Sequence, residues 1–193
     1  MERIDATGLP CPMPVVKAKN ALKKNGSAIV VIKVDNFIAV QNLEKMAIGN
    51  GYGFSFEKTT DVEYNVTLSG DNQEAHVHPA PQVSGVVVII GSNEMGSGSE
   101  QLGKILMKSF IYSLTELIPK IEAVIFFNTG AFLSSYGSNT VDDLQLLIDS
   151  GCRILTCGTC IDFYQLPPPA VGEVANMFEI VTLMTSAEKI ISP

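Results

Sequence analysis

The sequence predicts an α/β protein of two units, a small α+β sandwich followed by a three-layer domain built on a parallel sheet. Three observations lead to this prediction. Residues 1–70 follow the order β-α-β-α-β-β, residues 85–193 alternate apolar strands with helices, and residues 71–84 between them are polar with two prolines. Two helices on one face of a four-stranded sheet form a sandwich. Short, wholly apolar strands between helices are typical of a parallel sheet covered on both faces.

The elements of the first unit, residues 1–70, are predicted from the spacing of apolar residues and from the residues that start, cap or end helices. Pro12 suits a first helical position, Asn25-Gly26 ends that helix, and Asp35 is expected to cap the next one. The predicted strands are 3–6, 28–34, 52–58 and 62–68, and the predicted helices run from Pro12 to about Lys24 and from Asp35 to about Gly49.

The second unit, residues 85–193, has a clear strand-helix alternation up to Ile161. The predicted strands are 86–90, 123–127 and 152–156, and the predicted helices are 99–117, 140–150 and a short one near Ile161. Residues 171–177 have a helical pattern, and residues 179–183 and a last helical turn near Ala187 close the chain. Residues 71–84 are predicted to be a linker, in which His76 and His78 are solvated rather than metal ligands.

Composition and charge exclude several classes of protein. The 193 residues carry a net charge of −7 and four cysteines, and no segment has the apolar length of a membrane helix or a secretory signal. We therefore expect a soluble, cytoplasmic protein that binds no membrane. Residues 84–193 hold five Lys/Arg against eleven Asp/Glu, which argues against a nucleic-acid partner. Cysteines in a reducing compartment are more often reactive thiols, metal ligands or core residues than disulfides.

The first candidate site is Cys11, framed by Pro10 and Pro12 directly before the first predicted helix. Free amides and the dipole at a helix start favour a thiolate, and the lysines of that helix add positive potential. This Cys-Pro-x-Pro segment resembles the TusA/SirA-like sulfur carriers over roughly residues 1–70. The resemblance rests on Asp5-Ala6-x-Gly8-Leu9-x-Cys11-Pro12-x-Pro14 with Lys17 and Leu22. It implies that Cys11 accepts a persulfide sulfur and passes it on.

The second candidate site is the C-x-x-C of Cys157 and Cys160, at the junction of a predicted parallel strand and a helix. Such a pair is typical of redox or metal chemistry. Zinc is not predicted, because it needs four ligands and Cys152 lies at the far end of the strand. Cys157 is expected to be the exposed thiolate at the helix start, and Cys160, one turn inside, the less exposed resolving thiol.

Residues 84–193 resemble the DsrE/DsrF-like sulfur-relay fold. The matching residues are Met95-Gly96-x-Gly98, Leu102-Gly103, Asn128-x-Gly130, Gly137-Ser138, Leu144, Gly151 and Cys157-Gly158-x-Cys160. The resemblance implies that Cys157 is the reactive cysteine, and Cys160 is an addition to the general pattern. The order of the two units is similar to the YedF-type proteins, which are associated with selenium metabolism by inference.

Two polar loops complete the predicted edge of the second sheet. Residues 91–99 are glycine-rich but lack the lysine of a phosphate-binding loop and the third glycine of a dinucleotide fingerprint, so no nucleotide or other cofactor is predicted. Asn128, Thr129, Ser134 and Ser135 are candidates for a polar pocket beside Cys157, because ligands bind at the carboxyl ends of parallel strands.

Three functions remain open at this point. The chain is predicted to be a sulfur, or selenium, carrier or transferase that exchanges with donor and acceptor proteins. Alternatively, Cys157 and Cys160 form a thiol-disulfide redox pair, or the chain is a non-catalytic interaction module. Catalytic turnover is left open, and the broad apolar surface of the 99–117 helix predicts homo-oligomers through the second unit.

Overall fold

A computed structural model describes residues 1–25, 29–70, 85–117 and 121–193 of the chain. The chain divides into two compact units, residues 1–81 and 82–193. The predicted linker at residues 71–84, with His76 and His78, lies outside the described residues.

The N-terminal unit is the predicted two-layer sandwich. Its sheet has the strand order β1-β2-β4-β3, with β1 parallel to β2 and the other pairs antiparallel. Both helices pack on β2 and on each other. The inward side chains of β2 and β4 are fully buried between these layers. The elements are β1 Glu2–Asp5, α1 Met13–Asn25, β2 Val30–Val34, α2 Phe37–Gly49, β3 Gly53–Lys58 and β4 Tyr64–Ser69.

Two helix starts in this unit differ from the prediction. The first helix begins at Met13, one residue after Pro12. The cap of α2 is Asn36 rather than Asp35: its backbone is extended and its side-chain oxygen accepts from the Ala39 amide at 2.7 Å. A cap must accept from the second or third helical amide, and Asp35 lies one residue too early to do so. Its carboxylate bonds another loop instead.

The C-terminal unit has a five-stranded sheet in the order β8-β7-β6-β5-β9, and every pair is parallel. The predicted three-layer α/β class is confirmed, because helices cover both faces of this sheet. The elements are β5 Val86–Ile90, α3 Glu100–Thr115, β6 Ile121–Phe126, a 3-10 segment Asn128–Ser134, α4 Val141–Asp149, β7 Arg153–Cys157, α5 Gly158–Phe163, β8 Glu173–Ala175, α6 Met177–Ser186 and β9 Lys189–Ile191.

Two apolar cores lie on opposite faces of the central strands. One joins side chains of α3 and α4, such as Met107 and Leu144, to Phe126 of β6. The other joins Ile180 of α6 to Leu155 and other residues of the strands. Strands buried on both faces have no polar alternation, which is why the sequence shows them as continuous apolar runs.

The prediction is wrong for residues 171–177. The segment contains strand β8 beside β7, and the chain then forms α6 and the edge strand β9. Gly172 has φ +79°, and a Cβ there would lie 2.3 Å from the Ile154 carbonyl oxygen. Only glycine permits this close approach of the chain to β7. A strand of three residues is too short to show a period of two in the sequence.

Helix α3 buries one face and exposes apolar side chains on another. Leu102, Ile105, Leu106 and Tyr112 are exposed. Homo-oligomer formation through this helix stays a prediction. None of the helices in the described part of the chain is long and apolar enough to cross a bilayer.

Cys152 precedes β7 and is 5% exposed in the core under α3 and α4. Burial raises the pKa of this thiol from 9.0 to about 12. The unfolded chain therefore ionises Cys152 at a lower pH than the folded chain does. Its stabilising contribution is complete below pH 9 and is lost as the pH rises from there toward 12, with a slope of about 1.4 kcal/mol per pH unit.

We expect this ionisation to make unfolding of the wild type more alkali-sensitive than unfolding of Cys152→Ala. Between pH 8 and pH 10, the free energy of unfolding should fall by about 1 kcal/mol more in the wild type. Urea titrations of both proteins at the two pH values measure this. The cavity in the variant lowers its free energy of unfolding by the same amount at both pH values. The difference between the two pH values is therefore free of this cost. An equal fall in both proteins would show that Cys152 ionises alike in the folded and unfolded states.

Candidate functional site: two thiol centres

Cys11 is a half-buried free thiol in the loop between β1 and α1. Two carboxylates at the ends of neighbouring strands hold this loop. Asp5 accepts from the backbone amide of Thr7 at 3.0 Å and from its hydroxyl at 2.7 Å, and these bonds, the backbone one first, lower the pKa of Asp5. Asp35 accepts from the Gly8 amide at 2.6 Å. The backbone leading to Cys11 is thus held by carboxylates at the ends of two neighbouring strands.

Gly8 and α1 complete the surroundings of Cys11. Gly8 has φ +70°, a conformation that glycine adopts without steric cost. The Met13 amide donates to the Pro10 carbonyl at 2.8 Å, and the Cys11–Pro12 peptide bond is cis. Helix α1 contains four lysines and no carboxylate, so its charge favours an anionic sulfur or an anionic partner surface.

In the C-terminal unit, the structure brings Cys157 and Cys160 together but reverses their predicted exposure. Cys157 is the last residue of β7 and is 1% exposed, whereas Cys160 in α5 is half-buried. Side chains two apart in a strand share a face. Cys157 therefore lies on the same face as Leu155, in the core against α6, with Cys160 packed at its border.

The surroundings of Cys157 also disfavour the thiolate that the sequence predicts there. Burial, the largest cause, raises the pKa of this thiol, and the neighbouring Cys160 side chain acts in the same direction. The nearby amides of Cys160 and Thr159 act in the lowering direction, as expected at a helix start, but they do not offset the burial, and the Cys157 side chain does not cap α5 by a hydrogen bond. Helix α5 has only six residues, so its dipole is small.

The Cys160 sulfur accepts a hydrogen bond from the first residue of the 3-10 segment. The backbone amide of Asn128, which follows β6, donates to the Cys160 Sγ at 3.0 Å. Asn128 has φ +50°, in the left-handed region that non-glycine residues seldom occupy. The Tyr164 hydroxyl donates to the Asn128 side-chain oxygen at 2.7 Å.

Aromatic rings surround Tyr164. Its ring centroid lies 5.0 Å from that of Phe132 and 5.1 Å from that of Phe163. Sequence reasoning did not identify Tyr164. The one available signal is its position four residues after Cys160, which places the two on the same helical face.

The predicted polar pocket is only partly present. Asn128 lies at the Cys160 sulfur, and Thr129 accepts from the Asn93 amide at 3.3 Å. Ser134 is fully buried and shares a 2.7 Å hydrogen bond with Thr156, and Ser135 donates to the Ala131 carbonyl. The two serines stabilise the 3-10 segment and the end of β7, because buried hydroxyls need partners.

A cleft of about 520 Å³ lies beside Phe132, one of the aromatic residues that contact Tyr164. Its lining includes Phe132, Ser135, Thr140, Lys104 and Lys108. The two lysines pair with Glu100 and Asp143. Across the described ranges, no group of three or more His, Cys, Asp or Glu side chains converges as metal ligands would.

Comparison with known proteins gives a family match for the first unit. Residues 2–70 match the family model described as Sulfurtransferase TusA. A Methanocaldococcus jannaschii protein named as a candidate sulfur carrier is 31% identical over 70 residues, which are 35% of this chain and 92% of that protein. The SirA-like protein of Desulfitobacterium hafniense is 42% identical, with a TM-score of 0.35, over 36% of this chain and 96% of its own.

Two further solved structures are similar over a larger share of the chain at low identity. The ychN protein of E. coli is 16% identical with a TM-score of 0.46, covering 57% of this chain and 100% of its own. A protein of unknown function from Methanobacterium thermoautotrophicum is 17% identical with a TM-score of 0.44, over 57% of this chain and 99% of its own.

Proposed function

The chain belongs to the sulfurtransferase TusA family through residues 2–70, and from this membership we propose that it is a sulfur carrier that holds sulfur as a persulfide on Cys11. The observation that carries the proposal is the setting of Cys11. It is a free, half-buried thiol on a loop fixed by Asp5 and Asp35, directly before a helix whose charges are all positive.

The reaction is a thiolate exchange. The Cys11 thiolate attacks the terminal sulfur of a donor persulfide R–S–SH. A new S–S bond forms on Cys11, the donor S–S bond breaks, and R–S⁻ leaves with the electron pair. An acceptor thiolate then repeats the step on the Cys11 persulfide. No external oxidant is needed, and donor and acceptor proteins are the partners. The same exchange would carry selenium.

The C-terminal unit is proposed to be a second, DsrE-like relay unit. In support, Cys157 and Cys160 lie where β7 ends in an all-parallel sheet, at the edge where ligands bind in such folds. A second candidate function for this unit is thiol-disulfide exchange. The packing of Cys160 against the core cluster that contains Cys157 supports it, because a C-x-x-C pair at a strand-to-helix junction is typical of redox chemistry.

The experiment is loading of the reduced, full-length protein with glutathione persulfide, followed by mass spectrometry of its peptides. We expect the Cys11 peptide to gain the mass of one sulfur atom and to lose it on treatment with a reducing thiol. A Cys11 peptide that stays unmodified under conditions that load a free cysteine peptide would contradict the proposal. A Cys157–Cys160 disulfide without added sulfur would favour the redox function for the C-terminal unit.

A further inference from the structure

We propose that Cys160, rather than Cys157, is the sulfur-accepting thiol of the C-terminal unit, and that Tyr164 positions its sulfur through Asn128. This inference rests on the proposed sulfur-carrier function and extends it to the second unit. It reverses the roles that the order of the two cysteines in the sequence predicts.

The two thiols differ in how accessible they are to an incoming sulfur donor. Exchange needs the attacking sulfur to approach along the S–S bond that it breaks, so a bulky persulfide must reach it. Cys157 is 1% exposed in the core beneath α6, whereas Cys160 is half-buried at the border of that core. The surface beside Cys160 includes exposed aromatic side chains, Phe132 and Phe163.

The Cys160 sulfur also accepts a hydrogen bond from the backbone. The Asn128 amide lies 3.0 Å from it, and a hydrogen bond to an anionic sulfur is stronger than one to a neutral thiol. Asn128 holds φ +50°, in the left-handed region that asparagine enters more readily than most other non-glycine residues. The Tyr164 hydroxyl bonds the Asn128 side chain at 2.7 Å. Tyr164 is therefore a positioning residue, because it acts on the sulfur through Asn128.

The loading step is balanced without any further reactant. The Cys160 thiolate attacks the terminal sulfur of R–S–SH, the S–S bond to Cys160 forms, the donor S–S bond breaks, and R–S⁻ leaves with the electron pair. Resolution would require the Cys157 thiolate to attack the Cys160 sulfur and expel HS⁻, leaving a Cys157–Cys160 disulfide. Burial raises the pKa of Cys157, so at neutral pH this thiol keeps its proton and the Cys160 persulfide persists.

The first test compares Cys157→Ser with Cys160→Ser, each in the full-length protein, after exposure to glutathione persulfide. Fragment-ion sequencing of the peptide that contains both positions locates the added sulfur. We expect Cys157→Ser to retain sulfur on Cys160, and Cys160→Ser to lose at least about nine-tenths of the loading in this peptide. Sulfur on Cys157 in the Cys160→Ser protein, at the wild-type amount, would overturn the inference.

Cys11 in the same samples separates the two proposals. Loading of Cys11 without loading of Cys160 would overturn this inference and leave the proposed function standing. Loading of Cys160 without loading of Cys11 would overturn the Cys11 proposal alone. Failure of both thiols to load would overturn both.

The second test addresses Tyr164 and needs no persulfide. The pH-rate profile of iodoacetamide reaction at Cys160 is compared in wild type, Tyr164→Phe and Tyr112→Phe, with Cys11 as the reference in each sample. Loss of the hydroxyl removes one hydrogen bond, so we expect Cys160 to react about fivefold more slowly at pH 7 in Tyr164→Phe, with its profile moved to higher pH. Tyr112 lies exposed on α3, and Tyr112→Phe should match the wild type. An unchanged profile in Tyr164→Phe would overturn the positioning role.

Discussion

Gly130→Ala is expected to destabilise the C-terminal unit by about 2–3 kcal/mol, the cost of a severe overpacking in a rigid site. A Cβ at residue 130 would lie 2.2 Å from the Ile90 carbonyl oxygen and 3.0 Å from its carbon. These are backbone atoms at the end of a buried central strand, so neither can move aside. The 3-10 segment must shift away from β5, and Asn128 at its start would shift with it.

Hydrogen exchange of peptides from β5, β6 and β7 measures this effect on the C-terminal unit alone. The matched control is Gly98→Ala, because a Cβ at Gly98 would meet no atom within 4 Å. We expect faster exchange throughout the central strands in Gly130→Ala and little change in Gly98→Ala. Equal protection in both variants would show that the close approach of residue 130 to Ile90 is not required for the fold.

Cys11→Ser is expected to reduce sulfur loading of the N-terminal unit by a factor of at least about 100. Serine preserves the size of the side chain, but its hydroxyl is not ionised at neutral pH and is a weak nucleophile without a base. The carboxylate bonds of Asp5 and Asp35 involve backbone groups before residue 11, so the loop should keep its structure.

Peptide mass spectrometry after a timed exposure to glutathione persulfide gives the loading rate of each variant. Cys152→Ala is the control, since Cys152 is buried in the other unit and has no part in the proposed reaction. Its Cys11 peptide should load at the wild-type rate. Sulfur appearing in the N-terminal unit of Cys11→Ser at the wild-type rate would exclude Cys11 as the carrier residue.

Local sequence signals were sufficient for most of the fold. Apolar runs and helical periods predicted the three central strands and the long helices of the second unit, because burial on both faces or on one stripe leaves a direct pattern in the sequence. They failed for β8 and β9, whose three residues each are held by pairing with β7 and β5. Such pairing is a non-local contact and leaves no period.

The positions of the three candidate cysteines in the fold were predictable from the sequence, and the geometry around them was not. The two motifs identified Cys11, Cys157 and Cys160 at junctions between strands and helices. The relative exposure of Cys157 and Cys160 depends on which face of β7 the last residue occupies and on what α6 covers. The bond from Asn128 to Cys160 joins residues 32 apart in the chain, so no local pattern could indicate it.

The role of Asp35 in the first unit likewise depends on a contact between residues distant in the chain. An acidic residue just before a helix is an ordinary candidate for a cap, and the sequence offers Asp35 and Asn36 side by side. Asn36 caps α2, which leaves the Asp35 carboxylate to bond Gly8, 27 residues earlier. This exchange of roles links the start of α2 to the loop that carries Cys11.

The most direct test of the sulfur-carrier function is a chase with isotope-labelled sulfur. The full-length protein is loaded from a labelled persulfide, freed of donor, and mixed with an excess of an unlabelled acceptor thiol. A carrier must both accept the sulfur and release it intact. We expect the labelled sulfur to leave Cys11 and to appear as the persulfide of the acceptor, with the Cys11 thiol regenerated. Label that never reaches Cys11, or that stays on it in the presence of the acceptor, would contradict the sulfur-carrier function.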